Sequence, residues 1–130
     1  MINFLHMRTP LTTIFCGLIL NMSCAGVPET KFDISSPTPN QAFNSGDTLS
    51  ISALLTGVTE EGLHGYQVYI RNKADQTELF ANDTHVHGLT AAIDLSWIIS
   101  VSNSDLEVEI ISVNNHNGGF STRKIDVRVN

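Results

Sequence analysis

An all-β fold follows from three features of this 130-residue sequence. Apolar and polar residues alternate in short runs from Phe32 to Val129. A period of two marks strands, because successive side chains point to opposite faces. Turn-forming clusters at Gly46-Asp47, Asn72 to Gln76 and Asn114 to Gly119 interrupt the runs. No cysteine occurs beyond Cys24, so no internal disulfide can staple the domain and packing must hold it.

The strands are justified in chain order. Phe32-Asp-Ile34 opens the domain, and Ser36-Pro-Thr-Pro-Asn40 then blocks a helix and bends the chain. Thr48 to Leu55 places Leu49, Ile51, Ala53 and Leu55 on one face. Leu63 to Arg71 turns Tyr66, Val68 and Ile70 inward, and Glu78 to His87 returns beside it after the Asn72–Gln76 hairpin loop. Leu89, Ala91, Ile93, Leu95 and Trp97 make the longest apolar stripe, with Trp97 expected in the core. In Asp105 to Val113, Leu106, Val108 and Ile110 face in against Glu107 and Glu109. Ile125, Val127 and Val129 close the sheet, with Lys124, Asp126 and Arg128 outward. About seven antiparallel strands in roughly 100 residues predict an immunoglobulin-like β-sandwich, with strands in the order A, B, C, C′, E, F, G. A small open barrel is the alternative. One-faced strands are most simply buried as two packed layers.

Ahead of the domain, Arg8 precedes a short apolar run, Leu11 to Leu20, which is followed by Ser23 and Cys24. Charge, apolar core and small residue in that order read as a secretory signal. The run is near ten residues, whereas a bilayer span needs roughly 20. With cysteine at the cut, the segment resembles the lipobox of bacterial lipoproteins. That resemblance implies cleavage before Cys24 and lipidation of Cys24. Asn21 stands where the usual pattern has Leu, with Leu20 one step earlier. Looser boxes of this kind resemble those of Bacteroidetes lipoproteins. Plain cleavage after Ala25 is the rival, and Cys16 fits worse because Phe15 is bulky.

The expected organisation is therefore a signal peptide over 1–23, the lipidated Cys24 and a tether to residue 30, and the sandwich over 31–130. Seven tether residues reach roughly 25 Å when extended. Within the domain, Asn44-Ser-Gly-Asp-Thr-Leu49 resembles the start of strand B in bacterial Ig-like modules, and Glu107 to Gly118 resembles their F strand and F–G turn. Asn114-Asn115 and Asn117-Gly118 stand where those modules more often have Asp and Gly-Asn. From signal to Val129 the chain resembles a Bacteroidetes-type family of lipoproteins with a single Ig-like domain of unknown function. The resemblance implies a fold and a place in the bacterial cell envelope, lipid-anchored at the outer membrane, on its periplasmic or surface side. It implies no activity.

Seven Lys and Arg stand against thirteen Asp and Glu, a net charge of −6. Loss of Arg8 with the signal would make the mature chain more acidic still. Nucleic acid is a poor partner, since phosphate binding needs a basic face. No Gly-rich phosphate loop joins a strand to a helix, and no nucleophile elbow frames the Ser, His and Asp residues. These readings point away from an enzyme.

Chemistry is carried by histidine. His85 and His87 are two apart on one strand, so their Cα atoms lie about 6.6 Å apart on one face. The sandwich topology brings His64 at the start of strand C and His116 in the F–G turn to that same end, with Glu60 and Glu61 in the B–C loop. Imidazoles so grouped are zinc or copper ligands. The bland alternative is a set of solvated strand-end histidines. Gln67 and Tyr69 face outward, where an aromatic ring could stack on a sugar. Asp47-Thr-Leu49 resembles a Bacteroidetes O-glycosylation site, and equally suits a strand start.

The sequence thus predicts a non-enzymatic, lipid-anchored module that binds or scaffolds a protein or glycan partner. The alternative is a divalent-metal-binding lipoprotein using His64, His85, His87 and His116. Replacing Cys24 by Ala is expected to release the protein from the membrane fraction or leave its signal uncut, as read by fractionation and lipid labelling. Equal partitioning and equally little label in mutant and parent would refute the anchor.

Overall fold

The computed structural model describes residues 30–114 and 119–130. The signal segment, Cys24 and His116 lie outside them. Among the described residues there is no helix, and eight strands form two sheets. They are β1 (Thr30–Ser36), β2 (Gln41–Phe43), β3 (Thr48–Gly57), β4 (Leu63–Asn72), β5 (Glu78–Gly88), β6 (Thr90–Ile98), β7 (Ser104–Val113) and β8 (Phe120–Val129). One sheet runs β1-β3-β6 and the other β2-β8-β7-β4-β5. The expected C′, C, F and G strands are β5, β4, β7 and β8, and they share a sheet as the sandwich reading requires.

The core is the set of apolar residues that alternation turns inward. Leu49, Ile51 and Leu55 of β3, Val68 and Ile70 of β4, and Leu106, Val108 and Ile110 of β7 are all fully buried. Ile125, Val127 and Val129 of β8 complete the second layer. Register keeps these rows aligned: Val68 sits opposite Ile110 and Ile70 opposite Val108. Each inward side chain is thereby flanked by inward side chains on neighbouring strands, which is how a sheet stabilises itself.

Four details differ from the sequence expectation. An eighth strand, β2, pairs in parallel with β8, Gln41 opposite Val127 and Phe43 opposite Val129. Three residues between the Pro-rich bend and Asn44 are too few to show alternation. Thr30, expected in the tether, opens β1 and is buried. Leu89, expected in the core stripe, is 56% exposed, because it sits in the turn between β5 and β6. Trp97 is half-buried and packs against the core from its margin. It lies on β6, an edge strand with β3 on one side only. Ile99, just past β6, is buried; its N–H donates to the Asp47 carbonyl at 2.9 Å, and its carbonyl accepts from Gly46 at 2.8 Å.

Buried polar groups are concentrated at one end. The Thr30 hydroxyl donates to Asn114 Oδ1 at 2.5 Å, and the Ser112 hydroxyl donates to Thr30 at 2.6 Å. Asn114 Nδ2 donates to Ser121 at 3.2 Å. Among the described residues no buried side-chain nitrogen or oxygen lacks a partner. The group joins β1 to β7 and β8 across the two sheets, so it fixes where the chain enters the domain.

Truncation should separate centre from margin. Ile51→Ala is expected to cost about 2–5 kcal/mol, and Trp97→Ala less than the ~3–5 kcal/mol of a fully buried aromatic. Urea unfolding midpoints compare them; a Trp97→Ala loss exceeding that of Ile51→Ala would contradict this account.

Candidate metal site

The site is built where β4 begins and β5 ends. These strands pair antiparallel, with Leu63 opposite Gly88 but Gly65 opposite His85. Two steps on β4 therefore match three on β5, a β-bulge at Val86 and His87 across from His64. The irregularity re-aims the side chains. Leu63 and Tyr66, three residues apart, are both buried. Strict alternation does not span them, and His64 between them stays partly exposed.

Two glycines allow the approach. Gly62 has φ +69°, and a Cβ there would lie 2.4 Å from the Gly88 carbonyl oxygen. A Cβ on Gly65 would lie 2.9 Å from the Thr84 carbonyl oxygen. Either contact is far too short for any side chain, so only glycine lets β4 reach β5 here. The signal was present in the sequence: Gly62 and Gly65 bracket Leu63-His64, and Gly88 follows His87. Spacing alone does not tie those glycines to the histidines, because the close approach depends on the pairing of β4 with β5.

The bulge brings three histidines together. Ring nitrogens of His64, His85 and His87 all lie within 4.8 Å of one another. His85 Nε2 and His87 Nε2 are 2.9 Å apart, within hydrogen-bond distance, with the tautomers setting which ring donates. Their centroids are 4.5 Å apart with planes at 88°, and His64 stands edge-on to His87 at 4.9 Å. Two nitrogens on a tetrahedral zinc with bonds near 2.05 Å are about 3.3 Å apart. The 2.9 Å pair needs only a slight spread to reach that value. His64 needs a small rotation towards it. His85 and His87 are exposed, which leaves their rings room to adjust. These three residues could therefore hold a metal ion.

Not every candidate joins them. His116 lies outside the described residues. Glu60 and Glu61 are exposed in the β3–β4 loop, and no carboxylate belongs to the three-histidine group. Beside the histidines lies an open groove of about 300 Å³, walled by Gly65, Gln67, Asp83 and Val113. Gln67 Nε2 donates to Asp83 Oδ2 there at 3.1 Å.

Further along the same outer face the side chains engage one another. The Arg71 guanidinium lies 4.5 Å from the Tyr69 ring centroid and pairs with Glu109. Its hydrogen bond with Glu109, more than the opposing cost of burial, raises the Arg71 pKa above its ordinary value. Lys124 pairs with Glu107 at 2.9 Å, and that bond likewise raises the lysine pKa. Tyr69, the expected sugar platform, thus has a cation over its ring.

No protein-family model matches the chain, and no curated protein matches it. Among solved structures, the fibronectin(III)-like modules of Clostridium thermocellum CbhA are 21% identical, with a TM-score of 0.46, covering 76% of this chain and 94% of theirs. The CARDB domain of a Pyrococcus furiosus protein, solved in complex with di-metal ions, is 13% identical, with a TM-score of 0.49, covering 79% of this chain and 89% of its own. The class of the protein, an Ig-like β-sandwich module, is given by its own two sheets and strand order.

Alanine at position 65 should force β5 away from β4. Gly65→Ala is expected to destabilise by about 1–3 kcal/mol, as overpacking does. It should also shift the His85 ring resonances, read by denaturant unfolding and NMR. Parental stability together with unmoved resonances would show that the close approach is not required.

Proposed function

We propose that this chain is a non-enzymatic, lipid-anchored module of the bacterial envelope that binds a divalent transition metal, zinc or copper, through His64, His85 and His87. One observation carries the metal reading: three imidazole nitrogens within 4.8 Å of one another, contributed by two adjacent strands. An all-nitrogen set suits zinc and cupric copper better than calcium or magnesium, which take oxygen ligands. Three ligands leave a coordination position open for water or for a group supplied by a partner. The envelope address rests on the signal and on Cys24.

A second reading, a scaffold for a protein or glycan partner, draws support from the sandwich fold. Its glycan form is weakened at Tyr69, where Arg71 covers a ring face that a sugar would need. A protein partner remains compatible with metal binding, since the open coordination position is where such a partner would contribute.

Calorimetric titration of untagged protein with zinc and then copper is expected to give a Kd tighter than about 100 μM, roughly −5.5 kcal/mol. Replacing both His85 and His87 by Ala should abolish it. Protons compete for the same nitrogens, so affinity should fall as the pH is lowered. At metal concentrations near 100 times Kd the folded state should gain about 2.7 kcal/mol. Binding that survives the double replacement, or none at 100 μM, would leave the histidines as solvated surface groups.

A further inference from the structure

The histidines share their end of the sandwich with the point where the chain enters it. Thr30, the first residue of β1, pairs with Gly57, the last of β3. The Gly57 N–H donates to the Leu89 carbonyl at 2.7 Å, just beyond His87-Gly88. β7 ends and β8 begins at this same end, Val113 opposite Phe120.

Exposed apolar side chains gather there too. The described residues include five large apolar side chains with high exposure. Three of them are Val58 at 53%, Leu89 at 56% and Phe120 at 70%. Val58 lies in the β3–β4 loop, Leu89 in the β5–β6 turn, and Phe120 at the start of β8, all at the end where Thr30 enters, whereas Leu54 lies within β3 and Ile98 at the opposite end of β6. A single exposed apolar residue needs no explanation. Several on the rim around one point of attachment do, because every strand could have placed them elsewhere.

We infer that this end of the domain rests on a lipid bilayer, with Val58, Leu89 and Phe120 entering the interfacial region. The inference rests on the anchor at Cys24. Between Cys24 and Thr30 stand residues 25–29, a reach of at most about 20 Å. Thr30 cannot swing away, because its buried hydroxyl is held by Ser112 and Asn114. A lipidated Cys24 therefore keeps this end close to the membrane. Beside Thr30, Lys31 pairs with Asp33 at 3.0 Å and Arg123 lies over the Phe32 ring, while the β3–β4 loop at this end carries the exposed Glu60 and Glu61, so no basic excess marks the rim. The contact is therefore apolar and takes a zwitterionic surface. A metal held by His64, His85 and His87 would sit at that surface.

The only tryptophan serves as an internal reference. Trp97 pairs with Leu49, eight residues from Gly57 along β3, so it lies about 26 Å from the rim. The lipidated full chain would be reconstituted in vesicles of brominated phosphatidylcholine, as parent and as Phe120→Trp and Leu89→Trp in a Trp97→Phe background. Both new indoles are expected to be quenched at least about threefold more than Trp97, since the quencher reaches only side chains seated roughly 5–10 Å into the interface. Raising the salt concentration should leave the quenching unchanged. Protein that floats with the vesicles but leaves both indoles unquenched overturns the inference while sparing the anchor. A blue-shifted yet unquenched indole would assign the rim to a second copy or another protein, and overturns it equally. Protein that fails to float shows the anchor itself to be wrong, and the inference falls with it. Thermal unfolding checks each variant; two different substituted sites keep the result independent of either one's folding.

Discussion

The register of β4 between β5 and β7 is the constraint on which the site and much of the core depend. On the β7 side the pairing is regular from Gly65 opposite Val113 to Asn72 opposite Leu106. That regularity turns Tyr66, Val68 and Ile70 into the core together. On the β5 side the pairing breaks once near the histidines, between Leu63 and Gly65. A strand cannot shift against β7 without exposing its whole apolar row, since a one-residue slip reverses every side chain. The strain of the close approach is therefore taken up by β5, an edge strand with no further neighbour to oblige. That is why the extra residue of the bulge falls at Val86–His87. The histidine arrangement is thus a local consequence of a core that holds β4 still.

Much of this was legible in the sequence, and the losses have physical reasons. The inward rows of β3, β4, β7 and β8 are read directly from alternation because each of those strands has a partner on both sides or a layer over it. Alternation fails to locate Trp97 correctly because it reports which face a residue takes, not whether that face is covered. On edge strand β6 the cover thins towards Trp97. Leu89 fits the period of β6 but sits one residue before it, where the turn after Gly88 lifts it out. Thr30 was invisible because a buried hydroxyl needs its partners Ser112 and Asn114, 82 and 84 residues away, to be recognised as buried.

The candidate site shows the same division. Same-face placement of His85 and His87 follows from spacing, and the approach of His64 follows from strand order. What spacing could not supply is the distance at which they meet. Regular pairing would place the histidine at 64 in line with Tyr66, inside the sandwich. The bulge and the glycine at 65 turn it to the surface. The 2.9 Å contact between His85 and His87 depends on the conformation of β5, not on spacing alone.

Two exposed imidazoles sharing a hydrogen bond gain little, about 0.5–1.5 kcal/mol at most. A divalent ion shared by three would gain far more and would also place positive charge on a chain whose net charge is −6. That charge would sit opposite Asp83, which the groove beside the histidines already contains. The polar group at Thr30 works differently: it is complete, buried and closed to ligands, and it acts by fixing geometry. One end of the sandwich therefore combines a rigid point of chain entry with three adjustable donors. Binding there requires no motion of the sheets, only rotation of the histidine side chains on β4 and β5, so it would leave the core that positions the site undisturbed.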